Sequence, residues 1–534
     1  MFNMSLREIK YADTNAFSKL LVDYSQSEKH FSKLISHFPS VDNLKKQISS
    51  KSKNYNHSFR KLLVEEIYDQ YEGFKLNEIQ KKNIDKLLEK NTFTITTGHQ
   101  LNLLTGPLYF IYKIISVINL CENMQKNNPE NNFVPVFWMA SEDHDFAEIN
   151  HFSFKDEKFL WPSKENGVVG EFKLESIQGT IDRFEKHIKG FNYTAEIIEI
   201  IRECYLNSVD LSNATRKLVN ILFSKYGLVI IDANNKNIKT LFKDLIFKEV
   251  SEKLIHNESK QSIEILNELG YDIQANPREI NLFYIEKQSR ERITLNDNNF
   301  QTLSGSKKWN LDQIKKDISD NAEKFSPNVL LRPIFQEYIL PNICYVGGPA
   351  EVSYWLQLKS VFDSINLDFP IILNRNSALL LEKKTLNKIK KLDISIEEMF
   401  LSERKLKDIL VRKYSKLELD FTDLKQQLIN QFSELKKKAK YTDKSFIGAL
   451  SAQEKKQLNG LKMLEKRLIK SEKKAYNNKI NRVIEIRKKL FPNEKLQERS
   501  VNFSEFYVNE GANLIDILKN NLDPLNQKFS IIEI

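Results

Sequence analysis

Residues 93–97 and 134–140 are two short runs of apolar and β-branched residues, and between them Leu108, Ile111, Ile115 and Ile118 recur at helical spacing. This pattern predicts strand, turn, helix, strand, and therefore two parallel strands joined by a right-handed crossover. Polar residues gather where each strand ends: Thr97, Gly98, His99 and Gln100 after the first, Ser141, Glu142, Asp143, His144 and Asp145 after the second. Ligands of open parallel sheets sit beyond the carboxyl ends of the strands, so the two clusters form a candidate active-site rim. Thr105 is placed to N-cap the helix, with Gly106 and Pro107 next, while Tyr109, Lys113 and Ser116 lie opposite the apolar stripe. A glycine turn opening a helix offers backbone N–H groups and a positive dipole end to an anion, and Gly98, Gln100, Thr105 and Gly106 are expected to contact one. An ordinary Gly-Pro loop is the competing reading.

Residues 1 to 90 read as polar helices belonging to the main domain. Residues 152–180 mix short β-like runs with turns, as an insertion would, and residues 227–232 form a buried strand ending at Asp232. Residues 282–286, beside Arg290 and Arg292, read as a hairpin. Residues 329–332 and 343–346 are short apolar runs, the second leading into Gly347, Gly348 and Glu351. Residues 370–373 form a last core strand, capped by Asn374 and Arg375. Polar groups thus recur at strand ends (Thr97, Glu142, Asp232, Gly347, Arg375), as in a Rossmann-like sheet with ligands along one edge.

From residue 379 to 490 glycine and proline nearly vanish and Lys and Glu dominate. Leu424, Leu428, Phe432 and Leu435, then Leu461, Leu464 and Leu468, make narrow apolar seams with charged flanks. A break over residues 441–448 suggests a long antiparallel helical hairpin for oligomerisation or domain docking. The expected fold class is α/β: a Rossmann-like core with insertions over residues 1–378, an α-helical coiled-coil domain over 379–491, and a segment 492–534 returning to the core.

A chain of 534 residues exceeds one typical core, in keeping with this division. Its 81 Lys+Arg against 71 Asp+Glu give a net charge of +10, mild over this length but favourable to an anionic ligand. No RNA-binding motif appears, so nucleic acid is not an expected partner. Cys121, Cys204 and Cys344 lack metal-ligand spacing and are odd in number, which argues against a disulfide framework. With no signal-like N-terminus and no apolar run long enough to span a bilayer, a cytoplasmic protein with reduced thiols and no membrane partner is expected.

His144, Glu148 and His151 are spaced i, i+4, i+7 and would share one face of a helix, an arrangement that could hold a metal. No full HExxH pattern is present, and charged side chains lining a cleft are the preferred reading, so no metal is assigned. Glu142, Asp143 and Asp145 bring carboxylates close together, where mutual repulsion can tune one as a general acid or base. N-capping by Ser141 or Asp143 is the structural alternative.

The segments TTGHQ, LLTGPLYFIYK, VPVFWMASEDHDFAEINH, NVLLRPIFQEYILPNICYVGGPAEVSYW, PIILNRNS and LQERSVNFSEFYVNEG resemble the bacillithiol-biosynthesis cysteine-adding enzymes, the BshC family, in order and over essentially the whole chain. One departure is His99, where the family often reads TGQQ. The resemblance implies the same two-part architecture with homodimerisation through the coiled coil. It also implies a ligase that adds cysteine to glucosamine-malate by amide formation, the last step towards bacillithiol. Asp143 and His144 sit centrally in the matching motif and are the favoured proton acceptors. In the second block Arg332 suits bidentate capture of a substrate carboxylate, with Gln336 beside it and the Gly347–Gly348 pair allowing close backbone approach. A structural ion pair between Arg332 and Glu337 is the alternative. Amide formation from a carboxylate is uphill, and the Rossmann-like core with its anion-friendly loops fits the use of ATP or ADP, although HIGH, KMSKS and P-loop signatures are absent. A coiled-coil assembly protein that senses a nucleotide or metabolite is the alternative reading, against which the acidic rim argues. A tRNA-directed enzyme would require steeply salt-dependent RNA binding.

Overall fold

Strand β1 (Thr92–His99) forms the middle of a five-stranded sheet in the computed structural model, which describes residues 7–297, 299–441 and 444–534. Its companions are β2 (Asn132–Met139), β3 (Val229–Asp232), β4 (Asn342–Gly347) and β5 (Ile371–Asn374), every pair parallel, in the order β3-β2-β1-β4-β5. The chain runs outward from β1 to β3, then crosses back to lay β4 on the other side of β1. The reversal between β1 and β4 is the topological switch point at which Rossmann-like sheets bind ligands.

Both faces of this sheet are covered, which is why its strands read as continuous apolar runs rather than alternating ones. The threonines of β1 are the exception, and each is satisfied internally. Thr96 Oγ1 donates to Asn342 Oδ1 at 2.9 Å, and Thr97 Oγ1 donates to the Val346 carbonyl at 2.7 Å. These bonds fasten β1 to β4.

The crossover helix α1 (Tyr109–Asn127) starts later than the sequence suggested. Leu104, Thr105 and Gly106 all take positive φ (48°, 64° and 63°), so Thr105 cannot cap, and the helix begins without a side-chain cap. The turn is instead closed by the C-terminal segment: Asn502 Nδ2 donates to the carbonyls of Leu104 and Gly106, and Leu108 N donates to Val501 O at 2.8 Å. Of the residues opposite its apolar stripe, Lys113 and Ser116 are buried and Tyr109 is half-buried, so that face of α1 is covered too.

The apolar run 329–332 leads into a helix. Pro333 occupies the first turn of helix α2 (Arg332–Ile339), where a missing N–H costs nothing. Helix α3 (Pro349–Leu356) follows β4 directly. Between β3 and β4 the chain inserts a five-stranded antiparallel sheet that includes the hairpin Leu282–Glu286 and Ser289–Asn296, pairing Phe283 with Arg292 and Ile285 with Arg290. A third sheet holds Ser377–Leu381 parallel to Phe529–Glu533, which pairs antiparallel with Arg7–Ile9, so both ends of the described chain meet beside β5.

The coiled coil is built from α4 (Thr422–Ala439) and α5 (Lys444–Ala475). Ion pairs Lys425–Glu465 and Lys436–Glu454 advance along one helix as they retreat along the other, which makes the two antiparallel. The break between them is shorter than the expected 441–448, since helix resumes at Lys444 and contains Gly448; residues 442 and 443 lie outside those described. Phe432 is buried, whereas Leu424 and Leu435 of the expected seam are 48% and 46% exposed. The apolar stripe therefore divides, one part facing the partner helix and one facing outward.

Candidate active site

A cavity of about 1130 Å³ opens along the carboxyl edge of the central sheet, lined by Gly98, His99 and Gln100 after β1, Gly348 and Glu351 after β4, and Arg375 after β5. Glu142, Asp143 and His144 after β2 continue the rim, and Phe283, Arg290 and Arg292 of the inserted hairpin face them. That volume suffices for two small reactants.

The floor is a buried charged network. Glu351 accepts hydrogen bonds from Lys113 Nζ at 2.7 Å, the Tyr345 hydroxyl at 2.6 Å and Gly348 N at 2.7 Å. Burial alone would raise this carboxyl, but the Lys113 ammonium and the three donors overcome it and hold the pKa at about 2. Lys113 Nζ also donates to Gly98 O, tying α1 to the end of β1. Gly347 has to be glycine here, because a Cβ would stand 2.9 Å from that of Glu351.

Arg332 reaches over this network. Its Nη1 donates to Gln336 Oε1 at 3.1 Å and its Nη2 to the hydroxyls of Tyr354 at 3.0 Å and Tyr345 at 3.3 Å. It has no hydrogen-bonded carboxylate among the described residues. Gly98 makes room for it, since a Cβ there would lie 3.2 Å from Arg332 Nη1. Arg375 is paired with Glu498 at 2.8 Å and lies 5.1 Å over the Tyr109 ring, with its buried Nε lacking a partner among the described residues.

At the rim, Gln100 Nε2 donates to Asp143 Oδ2 at 2.6 Å and to Glu148 Oε2 at 2.9 Å. The other oxygen of Asp143 accepts from His144 N at 2.7 Å and Asp145 N at 3.3 Å. Burial pushes the Asp143 carboxyl up, but the Gln100 bond, the Arg290 charge and the two backbone donors leave it below the usual carboxylate range. Burial and the Arg290 charge lower the pKa of the His144 imidazole. Its Nδ1 stands 2.9 Å from Arg290 Nη1, and a guanidinium can only donate, so the imidazole proton sits on Nε2. Burial and the Lys113 charge likewise keep His99 neutral, with a pKa of about 4.

The sequence carries both halves of one family over this architecture: the bacillithiol-biosynthesis BshC N-terminal Rossmann-like domain matches residues 4–376, and the BshC C-terminal coiled-coil domain matches residues 378–534. The chain belongs to the BshC family. Proteins named "Putative cysteine ligase BshC" from Christiangramia forsetii and Flavobacterium psychrophilum are 44% and 46% identical to it, each over 98% of this chain and 98% and 99% of their own. One of the same name from Bacillus cereus is 26% identical over 96% of this chain and 98% of its own.

Within this BshC fold, twelve of the residues singled out from sequence line the cavity: Gly98, His99, Gln100, Tyr109, Lys113, Glu142, Asp143, His144, Arg332, Gly348, Glu351 and Arg375. Others serve beneath or beside it. Thr97 clamps two strands, and Gln336 is buried under Arg332. Gly347 accommodates Glu351, and the Asn374 amide donates to the Tyr11 hydroxyl at 3.1 Å. Asp232 accepts from Ser141 Oγ, locking the end of β3 to that of β2. Thr105 and Gly106 lie in the turn sealed by Asn502, apart from the residues that line the cavity. Asp145 caps the short helix Phe146–Ile149, and His151 opens the strand beyond it, so His144, Glu148 and His151 do not share a helical face. Arg332 does not pair with Glu337, whose partner is Lys51 at 3.9 Å. Sequence reasoning passed over Tyr345, Tyr354, Lys239, Arg290 and Arg292. The alternation Arg290-x-Arg292 within a predicted strand was the available signal, because residues two apart share a face.

Proposed function

We propose that the chain is a ligase that joins cysteine to glucosamine-malate through an amide bond, completing bacillithiol, with ATP or ADP chemistry activating the carboxyl group. The observation that carries this reading is the Arg332 guanidinium, fixed by two tyrosine hydroxyls and Gln336 at the switch point and left without a carboxylate of its own. Malate's carboxylates supply what it lacks, accepting from the N–H groups that Gln336 and the two tyrosines leave free. In this reading Arg332 holds the malate carboxylates as recognition groups, the acyl donor is the cysteine carboxyl, and the nucleophile is the amine of the sugar.

The chemistry then balances simply. The sugar nitrogen attacks the activated cysteine carboxyl carbon, a C–N bond forms, and the activating phosphate group leaves with its electron pair. The nitrogen must also lose a proton. Asp143 is too weak a base to deprotonate a free ammonium, but nitrogen in the tetrahedral adduct is far more acidic, and an ionised acceptor on the rim serves at that stage. His144, with its proton on Nε2 and its Nδ1 engaged by Arg290, is cast as a donor beside it. The homologues named cysteine ligases support the reaction class, and the outward-facing apolar residues of α4 support a homodimer through the coiled coil. Incubating the purified chain with cysteine, glucosamine-malate and ATP tests the proposal: a product whose mass is the sum of the two less one water is expected, and its absence at all nucleotide choices overturns it.

A further inference from the structure

The far wall of the cavity carries charge that the reaction as described does not use. Arg290 and Arg292 stand two apart on one strand of the inserted hairpin and both line the cavity, as does Arg278 just before the hairpin. Arg290 is built in: its Nε donates to Ser326 Oγ at 3.1 Å, its Nη2 to Pro327 O at 2.9 Å, and its guanidinium lies 3.9 Å over the Phe283 ring. With Nη1 held by His144, three of its five N–H groups are spoken for and two remain. Arg278 and Arg292 have no side-chain hydrogen bond or ion pair among the described residues. The local acids are already engaged, Glu142 by Lys239 and Asp143 by Gln100.

Counting formal charges, three arginines less Asp143 leave an excess of two, the Glu142–Lys239 pair cancelling itself. A single carboxylate would not balance this, whereas a phosphate monoester carries about two negative charges at neutral pH. We infer that the inserted sheet holds a second anion subsite, distinct from Arg332, that takes the phosphate of the activated reactant. This rests on the ligase reading for the identity of that reactant, though not for the existence of the subsite. The arrangement puts the leaving group over the hairpin and the malate carboxylates over the switch point, with the Asp143 rim between them. Cleavage would then release a phosphate dianion into the guanidinium cluster, stabilising the charge that develops as the bond breaks.

Calorimetric titration of the full-length protein with inorganic pyrophosphate and, separately, with malate tests the inference. Arg278→Gln with Arg292→Gln should weaken pyrophosphate roughly 10–100-fold and leave malate binding unchanged, while Arg332→Gln should do the reverse. Melting curves matching wild type establish that the variants fold, and Arg292→Lys should restore pyrophosphate binding in part. No pyrophosphate binding by the wild type, equal loss in both sets of variants, or malate lost with the hairpin arginines would each overturn the subsite. None of these outcomes depends on turnover, so a failure to form the thiol product would count against the ligase reading alone.

Discussion

The Arg332 guanidinium donates to the Tyr354 hydroxyl at 3.0 Å at the point where the strand order of the central sheet reverses, and no carboxylate among the described residues accepts from it. A partly buried cation held only by two hydroxyls and an amide oxygen is a waiting half of an ion pair. Replacing Arg332 by Gln should raise the KM for glucosamine-malate roughly 10–100-fold, the worth of a charge-assisted pair, with a much smaller change in kcat. Steady-state kinetics with the acceptor varied gives the split. An unchanged KM would move the carboxylate site elsewhere, with Arg375 and Arg499 the next candidates on the cavity wall.

Glu351 makes a second prediction, concerning acid stability. Its folded pKa of about 2 lies below the usual 4.5, so the unfolded chain binds the proton more readily. Its contribution is therefore fully present above pH 4.5 and is lost as pH falls towards 2. The loss should be on the order of 3 kcal/mol. Glu351→Gln should be less stable than wild type at neutral pH, leaving Lys113 buried without its partner, yet its denaturant midpoint should fall less steeply below pH 4.5. Parallel acid limbs for the two proteins would show that the Lys113–Glu351 pair does not set this dependence.

Much of this site was legible in the sequence, and the reasons for the gaps are physical. Strand-end chemistry reads well because the carboxyl edge of a parallel sheet collects polar groups, and Gly98, Gln100, Asp143 and Glu351, named at strand ends, all line the cavity. The turn at Thr105 and Gly106 misled because its backbone partner, Asn502, lies some four hundred positions away in sequence, as Asn502 bonds the Gly106 carbonyl across a separation of 396. Thr97 looked functional because it stands at the end of a strand, and only the fold reveals that its hydroxyl is engaged by the Val346 carbonyl. The spacing of His144, Glu148 and His151 suggested a shared face, but the helix lasts only from Phe146 to Ile149. Arg290 and Arg292 were visible as a hairpin, while the side of the sheet facing the cavity was not.

The rim separates catalysis from scaffolding. Asp143→Asn keeps the shape but removes the ionised acceptor, and should cut single-turnover rates ~10²–10⁴-fold with little effect on melting temperature. His144→Ala should have a smaller effect, because its Nδ1 is already engaged by Arg290. Full rates in Asp143→Asn accompanied by a lower melting temperature would make Asp143 a turn residue only, in line with its bonds to the amides of His144 and Asp145.

The outward face of α4 bears on assembly. Leu424 and Leu435 are 48% and 46% exposed, one face apart from the buried Phe432. Leu424→Lys with Leu435→Lys should convert a dimer to a monomer in light scattering while leaving the helical circular-dichroism signal intact. Leu428→Lys is the less informative change, because Leu428 is only partly exposed beside the partner helix of the same chain. A dimer that survives the double substitution would place the interface outside α4.

Thiol analysis of a strain lacking the gene bears most directly on what the protein does. Bacillithiol should disappear and glucosamine-malate accumulate, with the thiol restored by the intact gene and not by a copy carrying Arg332→Gln at equal protein level. Unchanged bacillithiol in the deletion strain would contradict cysteine ligation as the function of this cavity.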